Sequence, residues 1–187
     1  LDIEHVSCYS LIIEDHTKLG INNVESIDSD LDYEMYKCIC DFMRNNNFNH
    51  YEISNYSKEG FESCHNNVYW NNEEYYGFGL GASSYIDNSR ISNTRSINKY
   101  LDGNYILEKE DLEKEDLVYY EIMLNLRKSE GIDLNKMYSK YKVRLIYDEL
   151  IKNGFVHLKD NKLFIPEEKW YISNEIIIKL LEGVVYE

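Results

Sequence analysis

At 187 residues the chain is long enough for one sizeable domain or two small ones, since a domain takes roughly 100–200 residues. Hydrophobic residues make up 43% and charged residues 29%, the balance of a folded chain rather than a disordered one, and no apolar run approaches the roughly 18 residues that cross a bilayer. The formal charge of -14 is concentrated in residues 1–102, with 7 basic against 17 acidic side chains, compared with 13 against 17 in residues 103–187; this field opposes polyanions, so nucleic acid is not an expected partner.

Nothing reads as a signal peptide, and a cytoplasmic location is the expectation. The chain opens at Leu1, directly in an apolar segment, which points to a piece of a longer protein. Residues 5–13, HVSCYSLII, are β-branched, aromatic and aliphatic without clean alternation, as expected of a strand covered on both faces. A polar stretch around Gly20 reads as a loop. From Leu31 to Arg44, Leu31, Met35, Cys38, Ile39 and Phe42 recur at helical intervals, with Ser29 or Asp30 as N-cap. HYEISNY reads as a short strand and YYGFGLGASSYI as another, carrying glycines.

After residue 105 the pattern turns helical. Leu117, Tyr120, Met123, Leu124 and Leu126 form a stripe with Gly131 as stop, LNKMYSKY reads as a second helix, and RLIYDELIKNG as a third, closed by Gly154. Two alternating runs, FVHL and KLFI, separated by KDN, signal a hairpin, and EEKWYISNEIIIKLLEG reads as a last amphipathic helix. The fold class is therefore α/β (α+β), with domains at 1–105 and 106–187, the second winged-helix-like.

His65 leads the chemical candidates. Flanked by Cys64 and Asn66 and followed by Tyr69 and Trp70, it either presents an imidazole to a metal beside stacking surface or is a hydrogen-bonded structural residue. In an extended backbone Cys64 and His65 diverge to opposite faces. Cys38 and Cys40, on a helix, point about 200° apart. The four cysteines match no zinc spacing and read as reduced thiols. Gly77, Gly79 and Gly81 lack the helix that a phosphate loop needs; they clear one face for close packing or for a flat ligand. Arg90 and Asn93 suit carboxylates or a solvated loop, and Glu52, between Tyr51 and Ile53, is either part-buried or exposed on its strand.

Taken in order, HVSCYSLIIEDHTKL, YEISNYSKEG, HNNVYW, GFGLGASSY, RISNTRSINKY, LNLRKSEGIDL and WYISNEII resemble the oxygen-independent coproporphyrinogen III oxidase-like family of radical SAM proteins. Within it they resemble the HemW-like heme-chaperone branch, for which HNxxYW is the most specific element. The resemblance implies the late strands and helices of a partial radical-SAM (β/α) barrel followed by a winged-helix-like domain. It implies a [4Fe-4S] cluster and S-adenosylmethionine in the full-length parent. The family's CxxxCxxC motif does not occur in this sequence, so Cys8, Cys38, Cys40 and Cys64 inherit no cluster role and this chain alone is expected not to cleave S-adenosylmethionine.

The heme-associated element carries over onto His65, as candidate iron ligand, and onto Asn66, Tyr69 and Trp70. Tyr51, Glu52, Asn55, Gly79, Gly81 and Ser83 are implied as cavity lining, and Arg90 as the contact for a propionate. The implied function is a heme chaperone whose partners are heme or porphyrin, heme-acceptor proteins and the missing N-terminal part of its own barrel. The alternative is a coproporphyrinogen III oxidase that decarboxylates propionates by radical chemistry. A DNA-binding winged helix is the third reading, opposed by the acidic charge of residues 103–187.

Overall fold

The computed structural model describes residues 2–187, which form two compact units, one ending at Glu62 and one spanning Ser63–Glu187. The first unit contains β1 (His5–Ser7), α1 (Lys18–Ile21), α2 (Ser29–Asn45), β2 (Asn49–Glu52) and β3 (Asn55–Ser57). Its strands form one antiparallel sheet in the order β1-β3-β2, with Tyr56 opposite Val6 on one side and His50 on the other.

Sequence and structure differ here in instructive ways. The strand expected over residues 5–13 ends at Ser7, and Tyr9, Leu11 and Ile12 are exposed; β1 finds its ladder partner in β3 only as far as Ser7. The segment expected as a loop holds the short helix α1, capped by Thr17. The N-cap of α2 is Asp28, whose carboxylate accepts from Asp30 N at 2.9 Å, one residue before Ser29, the first of the two expected caps. The helix also carries two apolar stripes. The one read from sequence leaves Leu31, Met35 and Phe42 in solvent, whereas Tyr36, Ile39, Cys40 and Met43, at the spacing i, i+3, i+4, i+7, pack in the core with Tyr56. HYEISNY is two strands: Glu52 accepts from Ser54 N at 2.9 Å and from the Asn55 side chain, which folds the chain back between β2 and β3.

The second unit contains α3 (Cys64–Trp70), β4 (Ser83–Ile86), β5 (Ser89–Asn93), α4 (Ile97–Leu101), β6 (Ile106–Asp111), α5 (Lys114–Asn125), β7 (Ile132–Asp133), α6 (Leu134–Tyr141), β8 (Val143–Leu145), α7 (Asp148–Lys152), β9 (His157–Lys159), β10 (Lys162–Phe164), a 3-10 turn (Glu167–Ile172), α8 (Ser173–Glu182) and β11 (Val184–Tyr186). Three antiparallel sheets result, β4-β5-β6, β7-β10-β9 and β11-β8. Both two-residue hairpin loops, Asp87-Asn88 and Asp160-Asn161, sit at positive φ, which Asp and Asn tolerate better than other non-glycine residues. Because β6 pairs with β5, position 105/106 lies inside this unit. Its core gathers Val118, Ile122, Leu126, Ile132, Leu163, Ile165, Trp170, Ile176 and Leu180.

The third helix read from sequence is shorter, since Arg144 and Leu145 pair with β11 instead. The last helix read from sequence divides at Ile172: after Pro166 a 3-10 turn, Glu167–Ile172, buries Trp170 before α8 begins at Ser173. Among the described residues no helix is long and apolar enough to cross a membrane.

Candidate functional site

The spacing of HNxxYW acquires a physical reason once its backbone is helical rather than extended. Ser63 caps α3, its Oγ accepting from Asn66 N at 3.2 Å. Residues four apart share a helix face, so the motif resolves into two side-by-side pairs, His65 with Tyr69 and Asn66 with Trp70. The first pair is bonded: the Tyr69 hydroxyl lies 3.1 Å from His65 Nε2, with the rings edge to face at 5.0 Å. His65 is exposed, and Asn66, Tyr69 and Trp70 are half-buried. Cys64 is exposed and free, about 100° round the helix from His65.

From Tyr69 an aromatic series continues inward. Its ring meets Tyr75 edge-on at 4.6 Å, and Tyr75 and Tyr85 exchange backbone hydrogen bonds of 2.9 and 3.0 Å. Tyr85 is buried and stands opposite Arg90 in the β4–β5 ladder. The Arg90 guanidinium lies 5.1 Å from the Tyr85 ring centre and 3.8 Å from that of Tyr120 on α5, a helix that packs against α3. Burial pushes the Tyr85 hydroxyl up, and the Arg90 charge opposes it. Arg90 Nε is buried without a hydrogen-bond partner, so this cation retains a donor for an incoming anion.

The glycine run is a loop; the strand expected over it is confined to Ser83–Ile86. Gly79 and Gly81 sit at φ +95° and +67°, and a Cβ on Gly77 would stand 2.2 Å from Ser83 O. Close backbone packing therefore accounts for Gly77. The loop is braced by neighbours: Gly77 N donates to Ser84 Oγ at 2.9 Å, and Asn93 Nδ2 donates to Gly77 O and Gly79 O at 3.2 and 2.9 Å. The braced loop presents Tyr76 and Phe78, 68% and 87% exposed, with ring planes 16° apart, followed by exposed Leu80. Ser83, also exposed, opens β4 opposite Ser92.

Three other candidates lie in the first unit. Tyr51, Glu52 and Asn55 are buried there; the Tyr51 hydroxyl lies 2.9 Å from His5 Nε2, and Asn55 Oδ1 accepts from Ser7 Oγ while its amide donates to Glu52. Two features escaped the sequence reading. Tyr76, Phe78 and Leu80 were legible as large apolar residues alternating with glycine, a pattern that leaves them nothing to pack on. Lys128 carried no local signal: it is buried, donates to the side chain of Asn71 at the C-cap of α3, and has its ammonium pushed down by burial.

No family model matches the chain. It is 35% identical over 196 residues to the heme chaperone HemW of Lactococcus lactis subsp. lactis, covering 97% of this chain and 51% of that protein. With the heme chaperone HemW of Bacillus subtilis the identity is 30%, over 94% of this chain and 50% of the relative. The chain thus spans about half the length of these curated relatives. Its mixed helix and strand fold is shared with the coproporphyrinogen III oxidase HemN of Escherichia coli, a radical SAM enzyme, at a TM-score of 0.73 and 11% identity, over 95% of this chain and 48% of that one.

Proposed function

Because the chain belongs to the HemW branch of the coproporphyrinogen III oxidase-like family of radical SAM proteins, we propose that it is the porphyrin-facing, C-terminal portion of a heme chaperone. Heme is its cargo and heme-acceptor proteins are its partners. The observation that carries this reading is the His65–Tyr69 pair on a helix that buries none of its residues. An exposed imidazole with a hydrogen-bonded phenol at one nitrogen is a suitable axial ligand for heme iron. Tyr69, Trp70, Tyr76 and Phe78 supply aromatic area for the tetrapyrrole face, and the unsatisfied Nε of Arg90 suits a propionate. Asn66, Gly79, Gly81 and Ser83 line the same approach.

In this reading residues 1–105 represent late strands and helices of a partial barrel and residues 106–187 a winged-helix-like module. The order α5, β7, α6, α7 and the β9–β10 hairpin, with β7 joined to β10, supports the second assignment. The acidic composition there favours a lid or docking surface over DNA binding. We assign the [4Fe-4S] cluster and S-adenosylmethionine to the additional length of the relatives, since CxxxCxxC does not occur in this sequence.

Heme titration followed in the Soret region tests the proposal. His65→Ala is expected to weaken binding and shift the band; an unchanged band and affinity would make His65 structural. Anaerobic conversion of coproporphyrinogen to protoporphyrinogen by the full-length protein would replace the chaperone reading with the oxidase.

A further inference from the structure

One buried ammonium reaches the end of α3 from the core of the second unit. Lys128 is 6% exposed, and among the described residues no carboxylate lies within ion-pair distance of it. Its Nζ donates to Oδ1 of Asn71, the residue that closes α3 one position after Trp70. The core fixes the backbone around Lys128: Lys128 N donates to Asn125 O at 3.2 Å, Gly131 N donates to Lys128 O at 3.2 Å, and a Cβ on Gly131 would stand 2.2 Å from Leu163 O. The helix end that Lys128 meets is equally defined. Asn72 takes the left-handed conformation at φ +54° and donates its N–H to Tyr69 O at 3.0 Å, while Glu73 N donates to Val68 O at 3.0 Å, the Schellman pattern. The Asn71 amide donates in turn to Glu73 Oε1 at 2.8 Å, so one side chain joins the buried cation to the turn that ends the helix.

Packing alone does not call for this arrangement. Removal from water disfavours a charge, and burial pushes the Lys128 ammonium down. A methionine of similar length fills the same space without that penalty. What only the cation supplies is a directed, charge-assisted bond to Asn71. A helix of seven residues that buries none of them cannot hold its own position, because helices this short are marginal in water. The direction of the His65–Tyr69 face therefore depends on what grips the two ends of α3, and Ser63 grips only the first.

We propose that Lys128 is a positioning residue for the ligand site on α3: its bond to Asn71 holds the C-terminal end of the helix to the core and so fixes the direction in which His65 meets its ligand. The proposal rests on the heme reading of that face and adds to it a residue from the turn after α5.

Lys128→Met tests this in the whole chain by three measurements. Heme affinity, followed in the Soret region, is expected to fall about tenfold, the lower end of what loss of an outer-shell partner does to a metal site. The urea midpoint is expected to stay level or rise, since an apolar side chain replaces a buried charge. Amide hydrogen exchange without heme is expected to quicken at residues 71–73 and to stay unchanged at residues 176–180. Asn71→Ala removes the same bond from the helix side and decides the matter where Lys128→Met does not fold, with the same loss of affinity expected. Unchanged affinity in these variants beside a loss in His65→Ala overturns the positioning role and leaves the heme reading standing. Affinity that His65→Ala does not alter removes the heme reading of α3 and the positioning role with it. A loss of affinity accompanied by a lowered urea midpoint and by faster exchange throughout the unit makes Lys128 a structural residue only, which also overturns the proposal.

Discussion

Helices α3 and α8 belong to the same unit and are built on opposite terms. In α8, Ser173, Ile176, Ile177 and Leu180 are buried and the helix packs on α5 and on the turn that holds Trp170. In α3 no residue is buried, and its ends are held by the Ser63 cap and by Lys128 at Asn71. One helix obtains its stability from apolar area removed from water. The other is fixed by polar contacts at its two ends, which leaves the face carrying His65 and Tyr69 available to a ligand. The contrast separates side chains that maintain the fold from side chains that can change without unfolding it.

The largest expected effect lies on the α8 side. Trp170 is 2% exposed and its Nε1 donates to Ile165 O at 2.8 Å, so Trp170→Ala removes the largest buried side chain together with a buried hydrogen bond. A loss of about 3–5 kcal/mol is expected in urea unfolding; a loss as small as an α3 surface substitution would break the comparison. Alkaline pH acts on the same side. Burial is the first cause that pushes the hydroxyls of Tyr141 and Tyr85 up, with Glu121 adding to both, and Tyr141 donates to Glu121 Oε2 at 3.0 Å. Each phenol is therefore kept neutral in the fold. Their contribution is complete below about pH 10, the unfolded value, and is lost as pH rises towards the raised folded values, at about 1.4 kcal/mol per pH unit for each tyrosine. Thermal melts from pH 8 to 11 are expected to be flat at first and then to fall steeply; Tyr141→Phe is expected to reduce that slope.

Gly77→Ala probes the boundary between the two regimes. Its Cβ would stand 2.2 Å from Ser83 O, a backbone atom that cannot rotate away, and the strain falls on the loop that carries Tyr76 and Phe78. A destabilisation of about 1–3 kcal/mol is expected in the same urea experiment. Chemical-shift changes confined to residues 75–94 would show that the strain is taken locally, as the brace from Asn93 implies.

The elements legible in the sequence were those governed by local rules. The β9–β10 hairpin, α6 and the body of α2 follow from periodicity and turn residues, and HNxxYW was visible as a motif. What escaped depended on distant partners. Which of two stripes of α2 turns inward is decided by Tyr56, 16 residues from Cys40, and Lys128 meets Asn71 across 57 residues of chain. The helical state of Cys64–Trp70 was recoverable from Ser63 and the i,i+4 pairs, but a run of asparagines and aromatics has little helix propensity to announce it. Of the glycines, the sequence showed that space was needed; only the fold shows that Ser83 O takes the space at Gly77.

The smallest expected effect on stability is also the most informative about α3. His65 is exposed, and its contacts are the Tyr69 hydroxyl and ring. His65→Ala also replaces a middling helix former with the best one, so lost contact and gained propensity offset each other, and the unfolding free energy is expected to change by less than about 0.5 kcal/mol. Tyr69→Phe should be comparably mild, because the ring that meets Tyr75 at 4.6 Å is retained. If the α3 face is reserved for a ligand, these two variants separate in heme titration although they coincide in urea: His65→Ala loses the nitrogen ligand, whereas Tyr69→Phe keeps it and alters only its hydrogen bond, giving a smaller shift of the Soret band. Coincidence in both measurements would mean that the pair serves the helix alone, and α3 would then differ from α8 in exposure without differing in purpose.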